Sequence, residues 1–326
     1  MQILTVNGGS SSLRFALFSG DASLKRRFDG KLDRIGSDDA TLSFRDATWT
    51  SREVLGFDVH HRSAARSLVD WLDEQGELAS VAAIGHRVVQ GLDRFEPELV
   101  TPSLLETLAR TIPWDPEHLP RALEMIAALG ERLPAVPQVV CYDTAFHQTL
   151  PRVARLLAIP RRYEALGVKR YGFHGLSYAY LLEELARLGD AAATSGRVIL
   201  AHLGSGASLA AVLDGRSIDT SMGFTPTGGL LMSTRAGDLD PGLFGYLART
   251  EGLSAEGFEQ LVHRESGLLG VSETSGDLRD LLALQNHDVR AAEALALFGY
   301  QAMKWVGAFA AALGGLDTLV FSGGIG

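Results

Sequence analysis

The chain has one cysteine, Cys141, so no intramolecular disulfide can form, and its apolar neighbours in QVVCYD mark it as a core thiol. Positive charge is in deficit. Thirty Lys and Arg against 39 Asp and Glu leave a net charge of −9. That argues against a general role on nucleic acids or membrane surfaces, and a phosphate ligand would need locally concentrated cations. An uninterrupted apolar span is also lacking. The most apolar late stretch, 291–313, contains Glu293, Gln301 and Lys304, and reads as a buried helix. The N-terminus has neither the basic region nor the apolar region of a signal peptide. The expected location is the cytoplasm, with no membrane and no nucleic acid among the partners. The 36 glycines form no low-complexity tract and sit at turns.

What is present is ample core material. A chain of 326 residues with 46% hydrophobic content suggests two domains. Runs rich in Val, Ile, Leu or Phe predict strands at 2–6, 13–18, 81–85, 137–142, 197–203, 208–213 and 317–322. Helical periodicity predicts helices at 64–75, 104–111, 120–131, 177–188, 241–250 and 289–313. Ser103 with Glu106 fits a capping box, Pro120 fits a first helical turn, and Ser177 fits a helix cap. Strands mix with helices throughout, so the class is α/β. A domain change is expected near 146–152, giving units 1–146 and 147–326. Residues 319–326, LVFSGGIG, run a buried strand into a glycine turn. A strand at that point should feed a covering helix, so a further C-terminal segment is expected beyond this sequence.

The stretch 202–242, HLGSGASLAAVLDGRSIDTSMGFTPTGGLLMSTRAGDLDPG, carries most of the chemistry. A Gly/Ser loop lies between two apolar runs, followed by a small-residue segment and a lone Arg inside TRAGD. Glycines let backbone N–H groups approach an anion, and Arg supplies a planar fork for its oxygens. The same device opens the chain. Shifted by 196, ILTVNGGSSSLRFAL at 3–17 matches ILAHLGSGASLAAVL at 199–213 at six of fifteen positions, including Gly8/Gly204 and Ser12/Ser208. The reading is a duplicated strand–loop–strand unit with N–H and hydroxyl donors at each tip. Two such units facing across a cleft would hold a polyphosphate. The alternative is a pair of ordinary tight hairpins.

Four segments resemble the acetate kinase family: VNGGSSSLRF at 6–15, DTAFHQTLP at 143–151, RYGFHGLSY at 170–178, and the 202–242 block. The resemblance implies a two-domain actin-like, ribonuclease H-like duplicated fold with a cleft between domains. It also implies ATP and Mg²⁺, a homodimer, and reversible phosphorylation of a short carboxylate to an acyl phosphate. Carried over by position, Arg87, Asp143, His174 and Arg235 match active-site positions. Asn7, Ser10, Ser12, Arg14, His202, Gly204, Ser205 and Gly206 match the phosphate loops, with Asn7 also on the metal side. Gly323 and Gly324 in GGIG match the start of the adenosine turn, and Val89, Trp114, Phe173 and Pro226 line the acyl pocket. Several positions depart from the pattern. Arg14 stands for a usual Lys, Ser205 for Asn and Gln90 for His, and the family's L-H-N-P-P run becomes Trp114-Asp115-Pro116-Glu117-His118. An acid at Asp115 is electrostatically unfavourable beside a carboxylate and a phosphate. The family's metal-binding Glu is expected beyond residue 326, which puts the activity of the chain as it stands in question.

The chemistry can be argued apart from the resemblance. Attack of a carboxylate on a γ-phosphoryl brings two anions together, so catalysis is mainly positioning and charge neutralisation. Arg87 and Arg235 suit a clamp on carboxylate and phosphoryl from opposite sides, and His174 suits a hydrogen-bond donor. His202 suits a phosphate oxygen, and Asp143 suits orientation of Arg or of metal-bound water. No general base is needed, because a carboxylate is already ionised. Competing structural roles are a surface ion pair for Arg87, a helix cap for Asp143 and a satisfied core position for His174. His86 and His147 read as structural, and Asp238 and Asp240 as turn formers. The leading reading is phosphoryl transfer between ATP and acetate or propionate. The alternatives are a kinase of another small carboxylate, pyrophosphate as donor, or a non-catalytic nucleotide-binding regulatory protein.

Overall fold

The computed structural model describes residues 1–9, 12–35, 40–45, 50–55 and 63–326. The chain divides into two compact units, Met1–Ala145 and Phe146–Gly326. The first is built on eight strands: β1 (Gln2–Gly8), β2 (Leu13–Ser19), β3 (Arg26–Asp33), β4 (Thr41–Arg45), β5 (Ser51–Leu55), β6 (Val81–Val88), β7 (Glu98–Leu99) and β8 (Gln138–Tyr142). Their order in the sheet is β5-β4-β3-β2-β1-β6-β8-β7. Strands β1 to β5 form an antiparallel meander, and β6 and β8 then join parallel to β1.

Alternation explains the meander. Leu13, Phe15 and Leu17 of β2 are buried, as are Phe28 and Leu32 of β3 and Leu42 of β4. Phe15, Phe28 and Phe44 pack with Trp71 of helix Ala64–Glu74, with ring centroids 4.9–6.1 Å apart. Burial of such side chains contributes about 1.5–3 kcal/mol each. Gly30 is required there, because an added Cβ would lie 2.4 Å from the Phe15 ring. This packing fixes the first hairpin against its helix.

The second unit carries β9 (Arg197–Leu203), β10 (Ala207–Leu213), β11 (Arg216–Thr220) and β12 (Thr318–Ser322), in the order β11-β10-β9-β12. That order repeats β3-β2-β1-β6: an antiparallel meander, then a parallel strand beside the first. All residues of β10 but Leu213 are buried, so this sheet is covered on both faces. Helix Val289–Leu313 packs on β9 and β10 and buries Ala291, Ala294, Phe298, Phe309 and Leu313. Its polar residues are accounted for: Gln301 accepts from the Leu231 N–H, Lys304 lies over the Tyr300 ring, and Glu293 is exposed. Among the described residues, no helix is long and apolar enough to cross a membrane.

All seven expected strands and six expected helices are present, with ends shifted by a few residues. Strands β3, β4, β5, β7 and β11 were not expected. They bury one face at most and are rich in charge, so they lack the apolar runs that mark the others. Three local expectations are corrected. Thr101, and not Ser103, caps helix Pro102–Arg110, accepting from the Leu104 N–H at 3.2 Å. Ser177 caps nothing, because its helix begins at Gly175. Cys141 is half-buried rather than fully enclosed, and burial pushes its thiol pKa upward.

The repeat is also not in one register. Thr5 pairs with Ala16, but its counterpart Ala201 pairs with Leu209 and not with Val212. An offset of 196 therefore superposes one strand of each hairpin and leaves the other three residues out of step. Ser208 is a buried strand residue and offers no hydroxyl at the loop tip.

Candidate active site

In the first unit the site residues form a row across neighbouring strands. Arg14 on β2 lies directly opposite Asn7 on β1, and β6 runs parallel to β1 on its other side. Arg87 of β6 reaches back to Asn7, donating from Nη1 to Oδ1 at 2.9 Å, and forward to Asp143, donating from Nη2 to Oδ2 at 2.6 Å. Asp143 follows the end of β8, where its N–H donates to the Val88 carbonyl. The row thus lies at the carboxyl ends of β1, β6 and β8, where open α/β sheets place their ligands. Asp143 is 1% exposed. Burial works against the Arg87 charge, but the charge and hydrogen bond of Asp143, with the nearby charge of Asp115, outweigh it and raise the guanidinium pKa. Arg87 is therefore a fixed cation in a buried ion pair, and the surface-pair alternative does not apply. Asp143 orients Arg87.

The first loop closes with Gly9 N–H on the Ser12 carbonyl at 2.7 Å. Ser10 lies outside the described residues. Beside this loop is a hollow of about 160 Å³ lined by Gly8, Gly9, Ser12, Ser63, Arg121 and Glu124 among others. Arg121 donates to the Gly9 carbonyl at 3.4 Å. The sequence reading missed Arg121, which no motif marks. Among the expected acyl-side residues of this unit, Val89 is buried and Trp114 half-buried. The departures acquire structural roles. Gln90 is buried and its Oε1 accepts from the Leu92 N–H at 2.9 Å, holding a turn in which Leu92 has φ +53°. Asp115 accepts from the His118 imidazole at 2.7 Å and from its backbone N–H. Its second oxygen is buried and has no hydrogen-bond partner.

In the second unit the loop Gly204-Ser205-Gly206 is tied by Gly204 N–H to the Gly206 carbonyl at 3.1 Å, and by Ser233 N–H to the Ser205 carbonyl at 3.1 Å. Ser205 is exposed. Two side chains converge on this loop. From the point where a Cβ on Gly206 would sit, His174 Nε2 is 3.5 Å away and Arg235 Nη1 is 3.6 Å away. His202 Nε2 is 3.9 Å from the equivalent point on Gly204. The His174 and His202 rings are 4.3 Å apart, and Ser177 holds His202 through Nδ1 at 2.8 Å. Ser177 is thus a site-building residue and not a cap. Arg235 also donates to the Pro226 carbonyl at 3.2 Å. Pro226 is half-buried, whereas Phe173 is 1% exposed. Gly323 packs on the Leu203 carbonyl with φ +92°, and Ile325 N–H donates to that carbonyl, which brings the Gly323–Gly324 turn to the root of the loop.

His174 has φ +61°, a left-handed conformation that a non-glycine residue adopts only when held. Buried His147 holds it. His147 Nε2 donates to the Phe173 carbonyl at 3.1 Å, and Ser217 Oγ pairs with Nδ1 at 2.8 Å. Gly172, at φ +73°, lies against the same ring, and a Cβ there would sit 2.5 Å from it. His147 is structural, as expected, but what it supports is the segment carrying His174. Asp238 and Asp240 shape turns, accepting from Gly229 and Gly242 N–H groups.

Comparison with known proteins agrees with this geometry. Residues 2–326 match the Acetokinase family. An acetate kinase of Rhodopseudomonas palustris is 43% identical over 331 residues, covering 99% of this chain and 82% of the relative. An acetate kinase of Deinococcus radiodurans is also 43% identical, over 332 residues, covering 100% and 82%. Among solved structures, a propionate kinase from Francisella tularensis matches with a TM-score of 0.89 at 35% identity, covering 100% of this chain and 84% of that one. The acetate kinase of Porphyromonas gingivalis matches with a TM-score of 0.86 at 34% identity, covering 99% and 83%. The repeated sheet order and these similarities together place the chain in the acetokinase family, with its two-domain actin-like fold.

Proposed function

We propose that the protein transfers the γ-phosphoryl group of ATP to a short-chain carboxylate such as acetate or propionate, reversibly, giving ADP and an acyl phosphate. One observation carries the reading: His174 Nε2 and Arg235 Nη1 converge on an open glycine loop, with a second imidazole alongside. That is a cradle of donors for an oxyanion. In the reaction a carboxylate oxygen attacks the γ-phosphorus as the bond to the β-phosphate oxygen breaks, and ADP leaves. No proton moves, so the protein must supply charge neutralisation and alignment. Arg235 neutralises charge on the equatorial oxygens, and His174 donates a hydrogen bond to them. Arg87, oriented by Asp143 and Asn7, binds the carboxylate. Arg14 and the first loop serve the phosphates, and the Gly323–Gly324 turn serves the nucleoside.

Family membership supports ATP as donor, and a cytoplasmic setting and a homodimer belong to the same proposal. Magnesium belongs to the reading as the ion carried on the nucleotide's phosphates. The Asn7 and Asp143 oxygens accept from Arg87, and among the described residues no group of three or more His, Cys, Asp or Glu could hold a metal.

A second reading within the same chemistry has its own support. The partnerless Asp115 oxygen, in the electrostatic range of Arg87, would be matched by a carboxylate that bears a hydroxyl or ammonium donor. Hydroxamate trapping with ATP, Mg²⁺ and a panel of acetate, propionate, glycolate, lactate and β-alanine tests both. Turnover led by acetate or propionate supports the first reading, and turnover led by a donor-bearing acid supports the second. Silence across the panel contradicts both.

A further inference from the structure

We infer that Ser208 and Tyr178 are positioning residues for His174: their hydroxyl pair fixes Nδ1 as a hydrogen-bond acceptor, so that the imidazole proton sits on Nε2, the nitrogen facing Gly206. The inference rests on the phosphoryl-transfer reading for its purpose, but not for its structural content.

Three side chains form a chain of hydrogen bonds running from the core to the loop. Tyr178 lies one helical turn after His174 and is 0% exposed. Its phenol is bonded to Ser208 Oγ. Ser208, also 0% exposed, lies 2.8 Å from His174 Nδ1. Each hydroxyl has one hydrogen to give. The phenol is the more acidic of the two and is the better donor, so it donates to Ser208. The serine hydrogen is then directed at Nδ1. An imidazole that accepts on Nδ1 and is neutral carries its proton on Nε2. That nitrogen is 3.5 Å from the Gly206 Cβ position, on the side where a phosphoryl oxygen needs a donor.

The choice of hydroxyls has an electrostatic reason. A carboxylate would orient an imidazole as well, but it would place a negative charge about one ring's width from the phosphate, where like charges repel. A neutral hydroxyl pair orients the ring and adds no charge. Backbone placement complements it. The left-handed φ of His174 and the His147 bond to the Phe173 carbonyl set where the ring starts, and the hydroxyl pair sets which edge faces the loop.

Histidine-ring ¹⁵N NMR of the ligand-free protein, with His174 assigned through His174→Gln, tests the inference without reference to activity. The expected result at neutral pH is a protonated Nε2 and an unprotonated Nδ1. Ser208→Ala and Tyr178→Phe should each move the ring nitrogens toward solvent imidazole. In kinetics, Ser208→Ala should lower kcat by about ten-fold or more while KM for ATP and carboxylate stays within about three-fold, since alignment and not binding is lost. Tyr178→Phe should show the same split at roughly a third of that size, and Ser208→Thr, which keeps a hydroxyl, should recover most of the loss. A proton on Nδ1 in the wild type, or Ser208→Ala with unchanged kcat, would overturn the inference. A wild type inactive on every carboxylate would instead remove the phosphotransfer reading, and the ring spectrum would still decide the placement of the proton.

Discussion

In the β1–β2 hairpin the strands close at Gly8 and Leu13, leaving a four-residue loop; in β9–β10 they close at Leu203 and Ala207, leaving three residues. Gly9 and Ser12 of the first lie beside Arg121 and a hollow of about 160 Å³, and its strands carry Asn7 and Arg14 in a row with Arg87. The shorter loop is bound tightly to the 232–235 turn and receives His174 and Arg235 from outside its own strands. One sheet order is therefore used for two tasks. The first hairpin brings candidate site side chains from its own strands, whereas the second brings His202 alone from its strands and otherwise offers a backbone platform onto which other segments aim theirs. The second sheet is covered on both faces, which commits most of its strand side chains, His202 excepted, to the core.

Substitutions can break this contrast. The largest effect on activity is expected from Arg235→Ala, with kcat/KM falling about 10³-fold or more, because its guanidinium faces the loop where the proposed reaction would develop charge. Its stability cost should be the smaller one, about 1.5–3 kcal/mol, the range for charged hydrogen bonds such as that to the Pro226 carbonyl. Arg87→Ala should lose comparable activity and in addition about 3–5 kcal/mol of stability, because it strips a buried carboxylate of its cation. Denaturant unfolding of both variants, alongside their kinetics, checks the difference. Equal stability losses would mean that the two arginines are built alike.

A second contrast is in pH. His86, in the first unit, is 3% exposed, bonds Gln138 Oε1 at 2.6 Å, and is pushed by burial down to about 4 from 6.5. The unfolded chain then binds the proton first, so stability is full above 6.5 and is lost as pH falls from 6.5 toward 4. The total is about 3 kcal/mol. Unfolding free energies of wild type and His86→Asn across that range should diverge at high pH and converge on acidification. Parallel curves would assign the acid sensitivity elsewhere. Of smaller size is Gly206→Ala. The added methyl meets only ordinary contacts at 3.5–3.6 Å, so folding should survive within about 1 kcal/mol, while kcat/KM drops roughly ten-fold or more as the methyl takes the anion's place. The smallest effect is Thr101→Ala, about 1 kcal/mol from a lost helix cap, with no change in kinetics.

What could be read from the sequence follows what each residue contributes to its surroundings. Strands buried as continuous apolar runs, such as Val198–Leu203, announce themselves. Strands such as Arg26–Asp33, with charged outer faces, do not, because only Phe28 and Leu32 signal them. The arginine and histidine positions proposed for the site stand inside motifs dense in glycine, which is why they stand out in the sequence. Arg121 belongs to no such pattern, and Ser177 lies inside RYGFHGLSY but reads there as a helix cap; only folding brings the two to the loops. Ser208 was visible through the repeat but in the wrong role. Identity at a fixed spacing says nothing of a three-residue difference in hairpin register, which turns a tip hydroxyl into a buried one. Asp115 stood out as an electrostatic misfit beside an anionic substrate, and the structure pairs it with His118 while leaving one oxygen without a partner.

The most direct test of the central claim is acyl-phosphate formation, trapped as hydroxamate, by the wild type and by Arg235→Ala with ATP, Mg²⁺ and short carboxylates. The account predicts carboxylate-dependent hydroxamate from the wild type and a loss of about 10³-fold in the variant. Carboxylate-dependent turnover that survives in Arg235→Ala would contradict the assignment of the second glycine loop as the phosphoryl-transfer site.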